Sequence, residues 1–235
     1  VVLGQQKVDE KSNEITAIPP LLRLLELKGC IVTIDAMGCQ KAIARTIVEQ
    51  GADYVLTLKA NQGFLYDEVQ RFFRWARQRQ FAEVPHHSYH TLDGEHGRID
   101  ERHYWLVSDL GWLAEKKDWA GLRSLGMVER QRTVDGATTV EQRYYLTSLA
   151  GDGQQFGEAV RTHWSIENGL HWVLDVAFQE DQSRLRRDHA AENFAVLRHL
   201  ALSLLRREQS CPNGIKVKRL KAAWDEEYLT RVLFS

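Results

Sequence analysis

The sequence predicts an α/β fold that is interrupted by a mostly β insertion. Three observations support this prediction: two short apolar runs flank a helix-spaced segment before residue 60, strand pairs surround Gly turns between residues 81 and 150, and helical spacing returns afterwards. Such an order is typical of a mixed sheet with flanking helices. We therefore expect a first core segment at 1–80, a β-rich insertion at 81–150, and a helical second core segment at 151–235 that ends in basic helices.

The first segment is predicted to contain a βαβ unit. Cys30–Ile34 is a β-branched run typical of a strand covered on both faces, and Cys30 is expected in the core. Residues 42–48 have helical spacing before Gly51, and Tyr54–Leu58 is the second apolar strand. Strands joined in this way lie parallel, with a right-handed crossover. An amphipathic helix is expected next, over Gln62–Arg79.

A strand and a helix are predicted ahead of this unit. Val1–Lys7 has a strand pattern, and the chain starts within it without a Met, which indicates a cut through a longer protein. Pro19 and Pro20 are predicted to open a helix that Gly29 ends, because Pro favours the first helical turn and Gly the position after the last.

The insertion is predicted to consist of two hairpins. His86–Leu92 pairs with Ile99–Val107, and Met127–Val134 pairs with Thr138–Leu149, each around a turn that contains Asp-Gly.

Composition and charge narrow the function classes. The net charge of the 235 residues is -1, yet residues 182–221 carry seven Arg and three Lys against three acids. That excess of seven suits a polyanion such as DNA, although a solvated helix face is the commoner explanation. Three cysteines without a paired spacing favour a reducing, cytoplasmic setting. No run approaches the ~18 apolar residues of a membrane span.

Polar residues follow both strands of the βαβ unit. Asp35 ends the first strand, and Lys59, Asn61 and Gln62 follow the second, so all four are expected at one rim of the sheet. An Asp in this position often caps the next helix instead, and a lysine at a rim is often merely solvated. Paired with a second acid, Asp35 would suit Mg²⁺, which prefers oxygen ligands.

A long helix over residues 155–178 supplies that second acid. His163, Glu167, His171 and Asp175 recur every four residues and are expected on one face. One interpretation is a solvated stripe. A second is a buried acid that binds a metal, since apolar residues cover the remaining faces. A third is a transition-metal site with His and carboxylate ligands, for which no matching helix is found.

These motifs resemble the DDE transposases of bacterial insertion sequences, in the group of the H-repeat-associated proteins. The resemblance covers nearly the whole chain and rests on Leu3-Gly4-Gln5, Lys7–Ile15, Thr33–Gln40, Tyr54–Leu56, Leu58-Lys59, Asn61-Gln62, His96-Gly97-Arg98 and His163–Val176.

The resemblance implies an RNase H-like core and metal-dependent cleavage and joining of DNA at transposon ends, with Mg²⁺ or Mn²⁺. Asp35 matches the second catalytic acid and Glu167 the third. Further residues are implied as contacts to DNA or to the metal's surroundings: Lys59, Asn61, Arg98, Arg161, His163 and His171. Such enzymes work as multimers on DNA, which implies a homo-oligomer, and as nucleoid-associated proteins when they act.

Two departures from the family bear on activity. The wider superfamily carries a Tyr and an Arg before the glutamate and a Lys after it, where this chain has Val160, His163 and Leu174. The first catalytic aspartate is expected in an Asp-Gly-Lys segment upstream of Val1, and the chain contains no such segment. We therefore expect these residues to be an N-terminally truncated transposase without cleavage activity.

Two other functions remain open. A non-catalytic DNA-binding remnant of a transposase would use the basic C-terminal helices alone. A small-molecule α/β enzyme would use the same rim, but the sequence offers it no Gly-rich phosphate loop and no nucleophile arrangement.

Overall fold

The computed structural model describes residues 4, 14–95, 97–185 and 187–234. For Glu14, Glu95, Glu167 and Asn168 the description is confined to the backbone. The strand predicted at Val1–Lys7 lies outside the described residues, apart from residue 4, and so does the histidine of the His-Gly-Arg motif. Two compact units are found, one that ends at residue 163 and one that begins at residue 164. The predicted boundaries at 80 and 150 stay predictions.

A mixed sheet organises the first unit. Its six described strands are β1 (Ile31–Ile34), β2 (Asp53–Leu58), β3 (His86–Glu95), β4 (Arg98–Val107), β5 (Ser124–Val134) and β6 (Ala137–Thr147), in the order β1-β2-β6-β5-β4-β3. β1 and β2 are parallel, and every other neighbouring pair is antiparallel. This confirms the predicted α/β class, with the mixed sheet and flanking helices of an RNase H-like core that carries a β insertion.

Four helices accompany the sheet: α1 (Glu14–Arg23), α2 (Lys41–Glu49), α3 (Phe64–Gln78) and α4 (Gly153–Ile166). α2 connects the parallel strands, as predicted. The predicted start of the first helix at Pro19 is wrong, because α1 begins at Glu14 and holds both prolines in its interior. Proline has no backbone N–H, so the carbonyl groups of Ile15 and Thr16, four residues earlier, receive no helical hydrogen bond from these prolines.

The insertion extends the core sheet. Both predicted hairpins are confirmed, and β6 pairs with β2 through the register Val55↔Thr147 to Leu58↔Tyr144. The inner halves of β5 and β6 are buried, whereas the ends near their turn at Asp135 are exposed. The hairpins therefore share the core at one end and project from it at the other.

Burial differs between the two parallel strands. The prediction that β1 is covered on both faces is wrong, because all four of its residues keep partial exposure, whereas residues 54–58 of β2 are buried. β1 lies at an edge of the sheet that the described residues form, which leaves it incompletely covered. The prediction of a core position for Cys30 is wrong, because this residue precedes β1 and is exposed, whereas Cys39 is buried.

Helix α4 packs on one face of the sheet through an aromatic contact. Phe156 is fully buried, and its ring lies edge-on to Tyr104 and Tyr145 at centroid distances of 6.4 and 5.5 Å. Gly126 allows this approach, since a Cβ there would lie 2.3 Å from Cζ of Phe156. The sheet thus holds the N-terminal half of α4, and the C-terminal half carries the polar residues.

The second unit is helical. It contains a π-helical turn (Glu167–His171), α5 (Trp172–Phe178), α6 (Ala190–Arg207), α7 (Ile215–Trp224) and α8 (Glu226–Phe234). A small core gathers Leu205, Cys211, Tyr228 and Val232. No helix within the described ranges is long and apolar enough to cross a membrane.

A buried polar network stabilises these helices. Glu208 accepts a hydrogen bond from the Tyr228 hydroxyl at 2.7 Å and from the Ser210 backbone N–H at 2.5 Å. Hydrogen bonds from Ser210 and then from Tyr228 lower the pKa of Glu208 from its ordinary 4.5 to about 2. Lys218 is also buried and donates to the backbone oxygens of Leu205 and Glu208.

Candidate functional site

Asp35 occupies the loop between β1 and α2. It is exposed, and its Oδ1 accepts a hydrogen bond from the backbone N–H of Met37 at 3.2 Å. The alternative that Asp35 caps α2 is wrong, because the residue at the N-cap is Gln40. Among the described residues no cationic side chain forms an ion pair with Asp35. Its carboxylate is therefore open to a ligand from outside the unit.

The loop after β2 is fastened to the loop after β1. Asn61 donates from Nδ2 to the backbone oxygen of Ala36 at 2.7 Å, and Gln62 donates from Nε2 to that of Cys39 at 2.6 Å. The prediction that these loops share one rim is confirmed. Lys59 is exposed at the same rim, and it forms no ion pair among the residues that the structure covers. Asn61 keeps its side-chain oxygen available, since only its amide nitrogen is used.

Cys39 is the one thiol in this loop, and its chemistry is restricted. It is completely buried, and burial raises the pKa of the thiol to about 12. A protonated buried thiol is a poor nucleophile. The loop therefore offers oxygen ligands rather than a reactive sulfur.

The C-terminal half of α4 contacts β1. Nδ1 of His163 lies 3.1 Å from the hydroxyl oxygen of Thr33, within hydrogen-bonding distance. Thr33 lies in β1 two residues before Asp35. His163 thus contacts the strand that leads into the Asp35 loop.

Glu167 begins the π-helical turn. The turn spans Glu167–His171 between two α-helical segments, so the helix predicted over 155–178 is present but not regular. That the four polar residues share one face stays a prediction, because only the backbone of Glu167 is described. His171 and Trp172 are exposed, which contradicts the expected burial around them. Such turns occur frequently at functional sites.

Arg206 supports the π turn from within the second unit. Its guanidinium donates to the backbone oxygen of Gly169. A π turn leaves carbonyl groups without regular helical donors, and a charged donor satisfies one of them. Arg206 therefore contributes to the backbone conformation that follows Glu167, although the sequence indicated it only as part of a basic segment.

Arg98 and Arg161 lie in an arginine cluster on the α4 face of the insertion. Arg161 donates to Oδ2 of Asp93 at 2.8 Å, and Arg98 lies 3.6 Å from the nearly buried carboxylate of Asp100. Three further arginines, which the sequence interpretation missed, complete the cluster around the same two aspartates: Arg102, Arg130 and Arg132.

The hairpin register explains how these arginines meet. Asp100 lies opposite Arg132, and Arg102 lies opposite Arg130 on the neighbouring strand. Five arginines around two aspartates leave a surplus of three positive charges. Aligning the alternating residues of the two hairpins would have identified the cluster from the sequence.

The described structure thus groups the predicted residues into separate places. Asp35, Lys59 and Asn61 share the rim, and His163 reaches β1 beside them. Arg98 and Arg161 share the arginine cluster, and His171 lies in the π turn. Glu167 belongs to the second unit and only its backbone is described, so its pairing with Asp35 stays a prediction.

Comparison with known proteins supplies the family context. A family model described as "Transposase DDE domain" matches residues 1–204. The chain is 43% identical over 240 residues to "Putative transposase YncI" of Escherichia coli O157:H7, which covers 100% of the chain and 60% of that protein. It is 40% identical over 238 residues to "H repeat-associated putative transposase YhhI" of Escherichia coli strain K12, covering 99% of the chain and 62% of that protein. The chain thus spans about three fifths of the length of these relatives.

Proposed function

The chain belongs to the transposase DDE domain family, and from this premise we propose that it is part of a metal-dependent transposase that cleaves DNA at insertion-sequence ends and joins it to target DNA. The names of these relatives support transposition as the process. We further propose that the protein acts in the bacterial cytoplasm, on the nucleoid, and as a homo-oligomer on DNA.

The family match carries the proposal for the catalytic acids, in which Asp35 and Glu167 match the second and the third acid. The contact between His163 and Thr33 supports it, because it holds the C-terminal half of α4 on β1, the strand that leads into the Asp35 loop. We propose that Asp35 and Glu167 together hold Mg²⁺ or Mn²⁺. Two carboxylates of this kind are the usual protein share of a magnesium site, where water and phosphate oxygens complete the shell. The bound ions would activate the attacking oxygen and stabilise the leaving one.

The neighbouring residues have supporting roles in this proposal. Asn61 holds the Asp35 loop in place through Ala36 and offers its free amide oxygen to the metal's surroundings. Lys59 is exposed at the rim and is proposed to contact a DNA phosphate. His163 keeps α4 on β1 and takes the position at which the superfamily has an arginine. His171 is exposed and is proposed as a further phosphate contact.

The arginine cluster supports DNA as the partner. Arg98 and Arg161 each keep more than two fifths of the side chain exposed, at 46% and 43%, so their guanidinium groups are accessible while they are held by acids. A surplus of three positive charges on one sheet face suits a phosphate backbone. The basic C-terminal segment contributes less than its composition indicates, because Arg198 and Lys218 are buried.

The test uses the chain extended upstream through an Asp-Gly-Lys segment, because these residues contain only two of the three acids that the family requires. We expect cleavage of end DNA with Mg²⁺ or Mn²⁺ by the extended chain and none by the 235 residues alone. Asp35→Asn and Glu167→Gln should each abolish cleavage. Asp67→Asn is the matched control, since Asp67 is an exposed acid in the first turn of α3. Full activity of either site variant would remove that residue from the mechanism.

The same material separates this proposal from a non-catalytic remnant. A remnant would bind DNA with strong salt dependence and would be indifferent to Asp35→Ala. Binding without cleavage by the extended chain, with both metals present, would favour the remnant.

A further inference from the structure

Three metal-ligating side chains meet on the outer hairpin, on the sheet face opposite the arginine cluster. His90 on β3 and His103 on β4 are direct cross-strand partners, and Glu101 precedes His103 by two residues. Residues two apart on a strand and residues directly paired across strands share one face. The register of the hairpin therefore dictates that these three side chains converge.

The atoms that would bind an ion are already close together. Nε2 of His90 and Nε2 of His103 each lie 3.0 Å from the same oxygen, Oε1 of Glu101. One ligand atom from each residue lies within 4.8 Å of the others. Zinc at its usual bond lengths places tetrahedral ligand atoms about 3.3 Å apart. Small side-chain movements would thus open the cluster around an ion without a change in the backbone.

The donor set selects the kind of ion. Imidazole nitrogens suit zinc and its neighbouring transition metals, whereas Mg²⁺ prefers oxygen. We propose that His90, Glu101 and His103 form a binding site for Zn²⁺ or a similar divalent transition-metal ion, separate from the acids Asp35 and Glu167. Three protein ligands leave a fourth position for water, and the exposure of the cluster makes that position accessible.

The surroundings favour a charged, oriented ligand set. Hydrogen bonds from His90 and then from His103 lower the pKa of Glu101, so this carboxylate is an anion near neutral pH. Trp105 stacks on His103 with a centroid distance of 5.6 Å and an interplanar angle of 20°, which restricts rotation of that imidazole. The next acid along the same face, Glu129, is engaged by Arg77 at 2.7 Å.

A metal here would join β3 to β4. β3 is an edge strand of the described sheet and pairs on one side only, with β4. An ion bound by both strands would hold the hairpin together at a point well away from its turn. Because binding to the native state alone stabilises a protein, the ion should raise the melting temperature. This inference does not depend on the proposed transposase chemistry.

The competing account is a hydrogen-bonded triad that binds no metal. In that case each neutral histidine carries its proton on Nε2 and donates it to Glu101. Zinc titration of the metal-free chain distinguishes the accounts. Calorimetry measures zinc binding in this titration, and thermal melting measures its effect on stability. Mg²⁺ is present in excess so that sites made only of oxygen ligands are already occupied.

The variants are His90→Ala, Glu101→Gln and His103→Ala. His87→Ala is the matched control, because His87 is an exposed histidine on β3 whose side chain points to the other face. We expect the unchanged chain to bind one zinc ion and to melt at a higher temperature when zinc is present. Each site variant should lose zinc affinity by about tenfold or more, which is at least the loss seen when a residue that orients a metal ligand is replaced. The control should bind as the unchanged chain does.

Two results would overturn the proposal. One is the absence of saturable zinc binding to the unchanged chain, which would leave the hydrogen-bonded triad. The other is zinc binding that survives His90→Ala and His103→Ala undiminished, which would assign the ion to other ligands. Circular dichroism of the metal-free variants confirms that each is folded, so that a loss of affinity reports on the ligands.

Discussion

Replacing Phe156 with alanine should lower the free energy of unfolding of the first unit by about 3–5 kcal/mol, the range for truncating a buried phenylalanine. Phe156 has no exposed surface and fills the space between α4 and the sheet. Its two edge-on contacts, with Tyr104 and Tyr145, each account for roughly 0.5–1.5 kcal/mol of that loss. A domain of ordinary stability has about 5–15 kcal/mol in total, so the effect is large.

Urea denaturation measures this loss as a lower midpoint at an unchanged slope. Phe64→Ala is the matched control, because that phenylalanine is 62% exposed, and its truncation should change stability by no more than about 0.5 kcal/mol. Equal losses in the two variants would refute the packing of α4 described above.

Gly126 provides a second test of the same contact. A Cβ at this position would lie 2.3 Å from the Phe156 ring, so Gly126→Ala should cost about 1–3 kcal/mol by overpacking. In the Phe156→Ala background the added methyl group meets a cavity instead, and the cost should largely disappear. The resulting coupling should be within the roughly 0.5–3 kcal/mol typical of residues in contact. Strict additivity would contradict the contact.

Three further predictions concern single polar contacts. Thr33→Val keeps the side-chain shape but removes the bond to His163, and urea denaturation should record a loss of about 1 kcal/mol. Asn61→Ala removes the side-chain donor to the Ala36 carbonyl, which still accepts from the backbone N–H of Cys39 at 3.3 Å, and should weaken Mn²⁺ binding by the extended chain while α2 stays folded by circular dichroism. The folded state lowers the pKa of Glu208 from 4.5 to about 2, so the ionised carboxylate stabilises the fold. This stabilisation is fully present above pH 4.5 and is lost as the pH falls toward 2. Melting curves of Glu208→Gln should therefore change less over that interval than those of the unchanged chain, and an identical decline would contradict the assignment.

Local patterns were sufficient to predict most of the fold. The β-branched runs and the helical spacing between them identified the parallel pair, and turn-forming residues identified both hairpins, because each signal depends on neighbouring residues. Asp135-Gly136 forms a turn as predicted, whereas Asp93 and Gly94 lie within β3. The predicted coverage of β1 was wrong, since the burial of a strand depends on its neighbours in the sheet, which the β-branched run does not reveal. The start of α1 was missed because proline was expected only in the first turn of a helix, whereas Pro19 and Pro20 lie in the interior of α1.

The candidate site was predictable to the extent that it depends on strand ends. Parallel strands end at one edge, so the meeting of the Asp35 and Asn61 loops followed from the βαβ pattern. The π turn at Glu167 did not, because the spacing of four is the same in the sequence whether or not the helix is regular. The convergence of His90 with His103 required the exact hairpin register, which the turn type and length fix but the apolar pattern leaves free.

A Mn²⁺ titration of the upstream-extended chain tests the central claim most directly. Binding is measured as the loss of the electron paramagnetic resonance signal of the free ion. Asp35→Asn and Glu167→Gln should each weaken the binding by about tenfold or more, as expected when a ligand is lost, and Asp67→Asn should leave it unchanged. Wild-type affinity in either site variant would contradict the claim that these two carboxylates hold the catalytic metal together.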